Sequence, residues 1–120
     1  MTTPISAVTW VGLLITPLLI AVGQVLFKLT SARVEGFNLA GMARIMSDPL
    51  LLIAFSVYGI GTLVWIFVLK SVPLAIAYSF MALTFCFVPL LAVLILGEAI
   101  DTRFAVGTAL IIAGVLVIHV

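Results

Sequence analysis

Gln24 and Lys28 stand four residues apart in an apolar stretch, so on a helix they share one face. An amide beside an ammonium can hold an anion such as a phosphate headgroup. The plainer account of Lys28 is an interfacial lysine that snorkels to water. Gln24 has no water-facing reason to be where it is, which favours the binding account for that residue. Tyr58, Thr62 and Trp65 fall at i, i+4 and i+7 of a second apolar run and form one polar and aromatic stripe. Trp65 lies near Lys70 and also suits an interfacial aromatic belt. Tyr58 falls near the middle of its run, where a belt does not explain it and its hydroxyl needs a partner. In a third run Tyr78, Met81 or Ala82, Phe85 and Pro89 lie along one helical face, with Ser79 beside Tyr78. These groups suit the binding of an anionic headgroup rather than covalent chemistry.

The charged residues narrow the field further. No Asp, Glu, Lys or Arg lies in the middle of an apolar run. Such a charge costs roughly 3 kcal/mol on insertion scales and is found where a proton or ion must bind. A proton relay through an embedded carboxylate and voltage sensing are therefore not expected. The sequence has no helix with paired carboxylates, no His–Glu metal pair and no phosphate-cradling glycine loop. Its single cysteine, Cys86, excludes an internal disulfide and reads as a small apolar filler. Neither an enzyme nor a cofactor or metal is expected. The formal net charge of +1 gives no reason to expect a nucleic-acid partner.

The elements that position these residues follow from composition. Of the 120 residues 66% are hydrophobic and 8% charged, with a mean hydropathy of +1.52. A soluble domain carries about a quarter of charged residues, so the solvent of this chain is lipid. Uncharged runs occupy Met1–Phe27, Pro49–Leu69, Ser71–Gly97 and Phe104–Val120. Each approaches the roughly 20 residues a membrane helix needs. None shows the alternation of a barrel strand, so the expected fold is all-α, an integral membrane bundle of four helices in a single domain. The spans are expected at about residues 6–27, 50–69, 73–97 and 103–119. The first is read as a retained span, since it lacks the charged flank and cleavage site of a removable signal. Trp10 near its start suits an aromatic belt. Pro73 suits a helix start, whereas Pro17 and Pro89 lie inside spans and predict kinks. Gly59 and Gly61 are expected to permit close helix contact. In loop 28–48 Asn38 can cap a short helix over 39–46, which either lies in the interface or is an ordinary loop with an apolar anchor. Gly107, Leu110, Ile111 and Gly114 share one face of the last span, either as a helix–helix seam or because glycine is common in membrane helices. Lys28, Arg33, Arg44 and Arg103 lie on one side and Lys70 on the other, so loops one and three are expected in the cytoplasm and both termini outside.

Read together, Trp65, Val72-Pro73, Ile76-Ala77-Tyr78, the acidic turn after the third span, and Gly107 with Gly114 resemble the four-helix branch of the drug/metabolite transporter superfamily, EamA-like in kind. Small multidrug resistance transporters share the Pro-x-x-Ile-Ala-Tyr pattern and the paired glycines of the last helix, which packs their dimer. They also carry a first-helix glutamate upstream of a lysine that Lys28 matches. Ile20 stands at that glutamate's position, which removes the residue their drug export depends on.

The subunits of the flippase for aminoarabinose linked to undecaprenyl phosphate are similar in more places. They match at Gly23-Gln24, at the tryptophan ahead of Val-Pro, at Ile-Ala-Tyr, at Leu83 and Phe85, and at Leu96 with Glu98. The resemblance implies translocation of a lipid with a polar phospho-sugar head across the bacterial inner membrane. It also implies a homodimer or a heterodimer with a similar small protein. The expected substrate-binding residues are Gln24, Lys28, Tyr58, Trp65, Tyr78, Ser79, Phe85 and Glu98. The expected dimer seam is Gly107, Leu110, Ile111 and Gly114. Two other functions stay open: an exporter of small cations or metabolites, and a non-transporting subunit of a larger membrane complex.

Overall fold

The computed structural model describes residues 5–120, and among these there is no strand. The helices are α1 (Ala7–Ser31), α2 (Leu39–Met46), α3 (Pro49–Leu69), α4 (Leu74–Met81), α5 (Thr84–Leu96) and α6 (Thr102–His119). Helices α1, α3, the α4–α5 pair and α6 are long and apolar enough to cross a membrane. The chain is therefore an all-α bundle of four spans plus one short helix.

Side chains set most helix starts. Ser6 accepts from the Thr9 amide, Asn38 from Gly41, Asp48 from Leu50 and Asp101 from Phe104. Each satisfies an amide that the first helical turn leaves free. Pro73 stands one residue ahead of α4, with its backbone extended. At the end of α5, Gly97 takes the left-handed conformation (φ 70°) and the Glu98 amide reaches back to the Ala92 carbonyl. This closes the helix as glycine does best. Helix α1 runs past the expected end of its span to Ser31, so Lys28 belongs to its last turn rather than to a loop. There its charge complements the helix dipole.

The third span is not the single helix its composition predicts. It breaks at Ala82–Leu83, well before Pro89, and α5 continues through that proline. In an unbroken helix the Phe85 amide would bond the Met81 carbonyl. Here the Thr84 hydroxyl takes that carbonyl at 2.8 Å, and the Phe85 amide bonds Ala82 instead. The amides of Ala82, Leu83 and Cys86 also bond three residues back, so the backbone tightens into a 3₁₀-like turn. Pro17 likewise leaves α1 assigned as one helix.

Helix α1 is central and packs on α3, α4 and α5, whereas α6 packs mainly on the flank formed by α4 and α5. The α1–α3 backbones approach closely at glycines. A Cβ on Gly12 would lie 2.6 Å from Val68 Cγ2, and one on Gly61 would lie 3.3 Å from Ile20 Cδ1. Gly59, expected to act likewise, has open space around it, because it faces away from α1. Beyond these contacts Leu13, Val68, Val72 and Ala77 form the buried core at the hairpin end, where Lys70–Pro73 joins α3 to α4. Trp10 lies edge-on to Phe80 there, with centroids 5.6 Å apart.

Candidate functional site

Three cavities follow one another along the groove where α5 leaves α1. The first, of about 290 Å³, is lined by Ile20, Tyr58, Thr62, Trp65, Tyr78, Met81 and Thr84. It lies toward the hairpin end, because Trp65 is in the last turns of α3 and Tyr78 in the first turns of α4. The second, of about 390 Å³, shares Ile20 and Thr84 with it and adds Gln24, Phe85, Val88, Pro89 and Phe104. The third, of about 460 Å³, shares Val88, Pro89 and Phe104 with the second and reaches Glu98 and Asp101 in the turn before α6. Shared walls make the three a continuous crease from one end of the bundle to the other.

The lining has a chemical gradient. Toward the hairpin end it is aromatic and hydroxylated, and at the far end it is acidic. Thr62 and Thr84 donate their hydroxyl hydrogens to the carbonyls of Tyr58 and Met81. Their polarity is thereby used within the helices. The phenols of Tyr58 and Tyr78 and the indole of Trp65 remain the donors a visiting molecule can meet. Rings that combine an apolar face with one polar edge suit a sugar. Tyr58 is held from behind by Phe27, 5.7 Å between centroids, and from beneath by Gly23. A Cβ on Gly23 would lie 3.2 Å from the Tyr58 ring. Pro89 has no amide to offer the Phe85 carbonyl, so one backbone acceptor stays unpaired in the α-helical pattern at the crease's midpoint.

Of the residues expected from sequence, the crease brings together Gln24, Tyr58, Trp65, Tyr78, Phe85 and Glu98. Two stand apart. Lys28 is exposed on the last turn of α1 and lines none of these cavities, one helical turn beyond Gln24. Ser79 is itself mostly buried. Its hydroxyl donates to the Ile76 carbonyl and sits 2.6 Å from His119 Nε2 on α6, whose ring also packs on Phe80 at 4.7 Å. Ser79 thus ties α6 to α4, a role hidden in sequence because His119 lies 40 residues away. Sequence reasoning also missed Thr84, whose position opposite Ile20 depends on the break between α4 and α5.

The ion pairs among the described residues are Arg33–Asp48, at 2.9 Å, and Arg44–Glu35. Both lie in the segment around α2, and neither uses Lys28 or Glu98. The Asp48 carboxyl sits below its usual value of 3.8, chiefly through the Leu50 amide it accepts from and then through Arg33. Asp101 is committed to the Phe104 amide at 2.8 Å, which leaves Glu98 as the unpaired acid at that mouth. No group of three or more His, Cys, Asp or Glu among the described residues could hold a metal ion.

Glycine-mediated contact of α1 with α3, a divided third span and a loosely attached fourth span define a small multi-pass membrane protein with a groove along its flank. The sequence profile of the EamA-like transporter family matches residues 2–120, and the chain belongs to that family. Among curated proteins it is 36% identical over 100 residues to a probable 4-amino-4-deoxy-L-arabinose-phosphoundecaprenol flippase subunit, ArnE, of Pseudomonas fluorescens strain Pf-5, covering 83% of this chain and 87% of that one. It is 36% identical over 109 residues to the protein of the same name from Pseudomonas aeruginosa strain UCBPP-PA14, covering 88% and 92%. An Enterobacter relative of that name is 42% identical over 60 residues, half of this chain and 56% of its own. No solved structure matches.

Proposed function

We propose that this chain is one subunit of a flippase that carries a polyprenyl-phosphate-linked amino sugar across the bacterial inner membrane. The observation that carries the reading is the continuous crease on the flank of α1 and α5. It is polar enough for a sugar head, yet no charged residue lies in the middle of its helices. The substrate named for the relatives joins an amine, a phosphate and a long isoprenoid chain. Glu98 suits the amine, Lys28 the phosphate as it approaches, and Gln24 its passage into the crease. Tyr58, Trp65, Tyr78 and Phe85 contact the sugar along the way. Ile20 on the crease wall speaks against proton-coupled export of drug cations, which needs an acid at that depth.

The excess of Lys and Arg in the first and third loops supports an orientation with α2 and the Gly97–Asp101 turn in the cytoplasm and the α3–α4 hairpin outside. The head is therefore collected at the Glu98 mouth and released past Trp65 and Tyr78. Four spans give a crease but not an enclosed path, and small transporters complete theirs between two copies or repeats. Gly107, Leu110, Ile111 and Gly114 on α6 form the seam for a second copy or a similar partner. Neither catalysis nor a cofactor enters this reading.

The test is transport in reconstituted vesicles, with the partner subunit present if the isolated chain shows no flux. Lys28→Ala and Tyr78→Ala, each folded as judged by elution and melting, are expected to slow head translocation at least several-fold. Unchanged transport in both would overturn the site assignment.

A further inference from the structure

A further cavity, of about 650 Å³, lies between α5 and α6. Its lining is almost entirely apolar and includes Phe85, Cys86, Pro89, Phe104, Ala109 and Ile112. Phe85, Pro89 and Phe104 also wall the second cavity of the crease. The polar crease and this apolar cleft are therefore neighbours across a partition of two rings and a proline. We infer that the cleft seats the isoprenoid tail of the lipid whose head occupies the crease.

Two observations choose this occupant. The cleft lies directly across that partition from the head-binding crease, within reach of one molecule with a polar head and a greasy chain. It also lies on the side of α6 that the proposed dimer seam leaves free. At 100° per residue, Ala105, Thr108, Ala109 and Ile112 centre about 160° from Gly107, Leu110, Ile111 and Gly114. A second chain on the glycine face leaves the cleft open to lipid. The small side chains on the α6 side supply the width for a methyl-branched chain, and the rings of Phe85 and Phe104 supply its apolar walls. The inference rests on the lipid-flippase reading, and it adds where the tail travels: beside the head, between α5 and α6, rather than free in the bilayer.

Cys86, the single thiol of the chain, lines the cleft and reports on it without mutation. The full chain is reconstituted in phosphatidylethanolamine/phosphatidylglycerol vesicles and titrated with undecaprenyl phosphate. Binding is followed by co-purified lipid and Cys86 alkylation by N-ethylmaleimide. Saturable binding with a several-fold slowing of alkylation is expected. Dihexadecyl phosphate, with the same charge on saturated chains, is expected to protect far less. Ala109→Phe, which fills the cleft from α6, is expected to weaken undecaprenyl phosphate binding roughly tenfold, the equivalent of about two buried methylenes. The melting profile should hold, since Ala109 is exposed and outside the core.

Saturable binding that leaves Cys86 and Ala109→Phe unaffected would overturn the tail path while the flippase reading stands. Absence of saturable binding would overturn both. Equal protection by dihexadecyl phosphate would overturn the assignment to an isoprenoid chain. Protection that follows protein rather than lipid concentration would give the cleft to a second copy and overturn the inference as well.

Discussion

Helix α1 presses its glycines into α3 at Gly12 and Gly23, and 39% of its most apolar window is buried. Helix α6 has none of its window buried, and a Cβ added at Gly107 or Gly114 would meet nothing within 4 Å. Both helices carry spaced glycines in an apolar sequence, yet only one uses them inside the chain. In lipid no hydrophobic force drives helices together, so a glycine seam persists only where backbones can close on something. The α1 glycines close on α3 and build a rigid wall for the crease. The α6 glycines face outward, as a contact surface for another chain would.

This contrast is broken most forcefully at Gly12. Gly12→Leu drives a side chain into Val68, which is fully buried. Overpacking of this kind costs about 3 kcal/mol. The expected result is a large fall in melting temperature of the detergent-solubilised protein. A stable Gly12→Leu variant would show that α1 and α3 separate more easily than their contacts imply. The same change at Gly107 and Gly114 should leave the melting of the isolated chain untouched and weaken its self-association, or its pairing with a partner, about tenfold. Cross-linking yield against protein dilution measures it. Unaltered association in the double variant would move the seam off this face.

The contrast also explains what could be read in advance. The number and approximate limits of the spans, the cap at Asn38 and the helix over 39–46 follow from charge spacing and local hydrogen bonding, which act within a few residues. That Tyr58 and Trp65 share a face follows from helical spacing, and Tyr58 stands out by its depth, neither of which needs tertiary information. The break at Ala82–Leu83 was not, because Pro89 is the conspicuous residue and the deciding bond is a threonine hydroxyl competing for one carbonyl. The bond from Ser79 to His119 was not legible either, since that neighbour comes from the far end of the sequence. Gly59 and Gly61 look alike in sequence, and only the direction of α1 distinguishes them.

A smaller effect is expected where α3 begins. The Asp48 carboxylate caps α3, and its pKa lies below 3.8, held down first by the Leu50 amide and then by Arg33. A carboxyl whose folded pKa is depressed contributes its full stabilisation above the unfolded value and loses it as pH falls through the folded one. The cap is therefore intact from neutral pH down to about the unfolded value of 3.8 and fails below it. Asp48→Asn should flatten the acid limb of a melting-temperature profile and leave the neutral plateau close to that of the parent, because asparagine also caps. An unchanged acid limb would assign the acid sensitivity to another carboxylate.

The smallest effect is expected at Arg44–Glu35. Both side chains are about two-thirds exposed, and an exposed ion pair contributes no more than about 0.5 kcal/mol after side-chain ordering and salt screening. Glu35→Gln should therefore shift the melting temperature by little more than the scatter of the measurement, and high salt should mask even that. The pair lies in the segment that joins α1 to α3, outside their glycine contacts. If Glu35→Gln instead lowered stability as far as Gly12→Leu, the segment around α2 would be part of the clamp between the two helices. The rigidity of the crease wall would then come from the connection as well as from the seam.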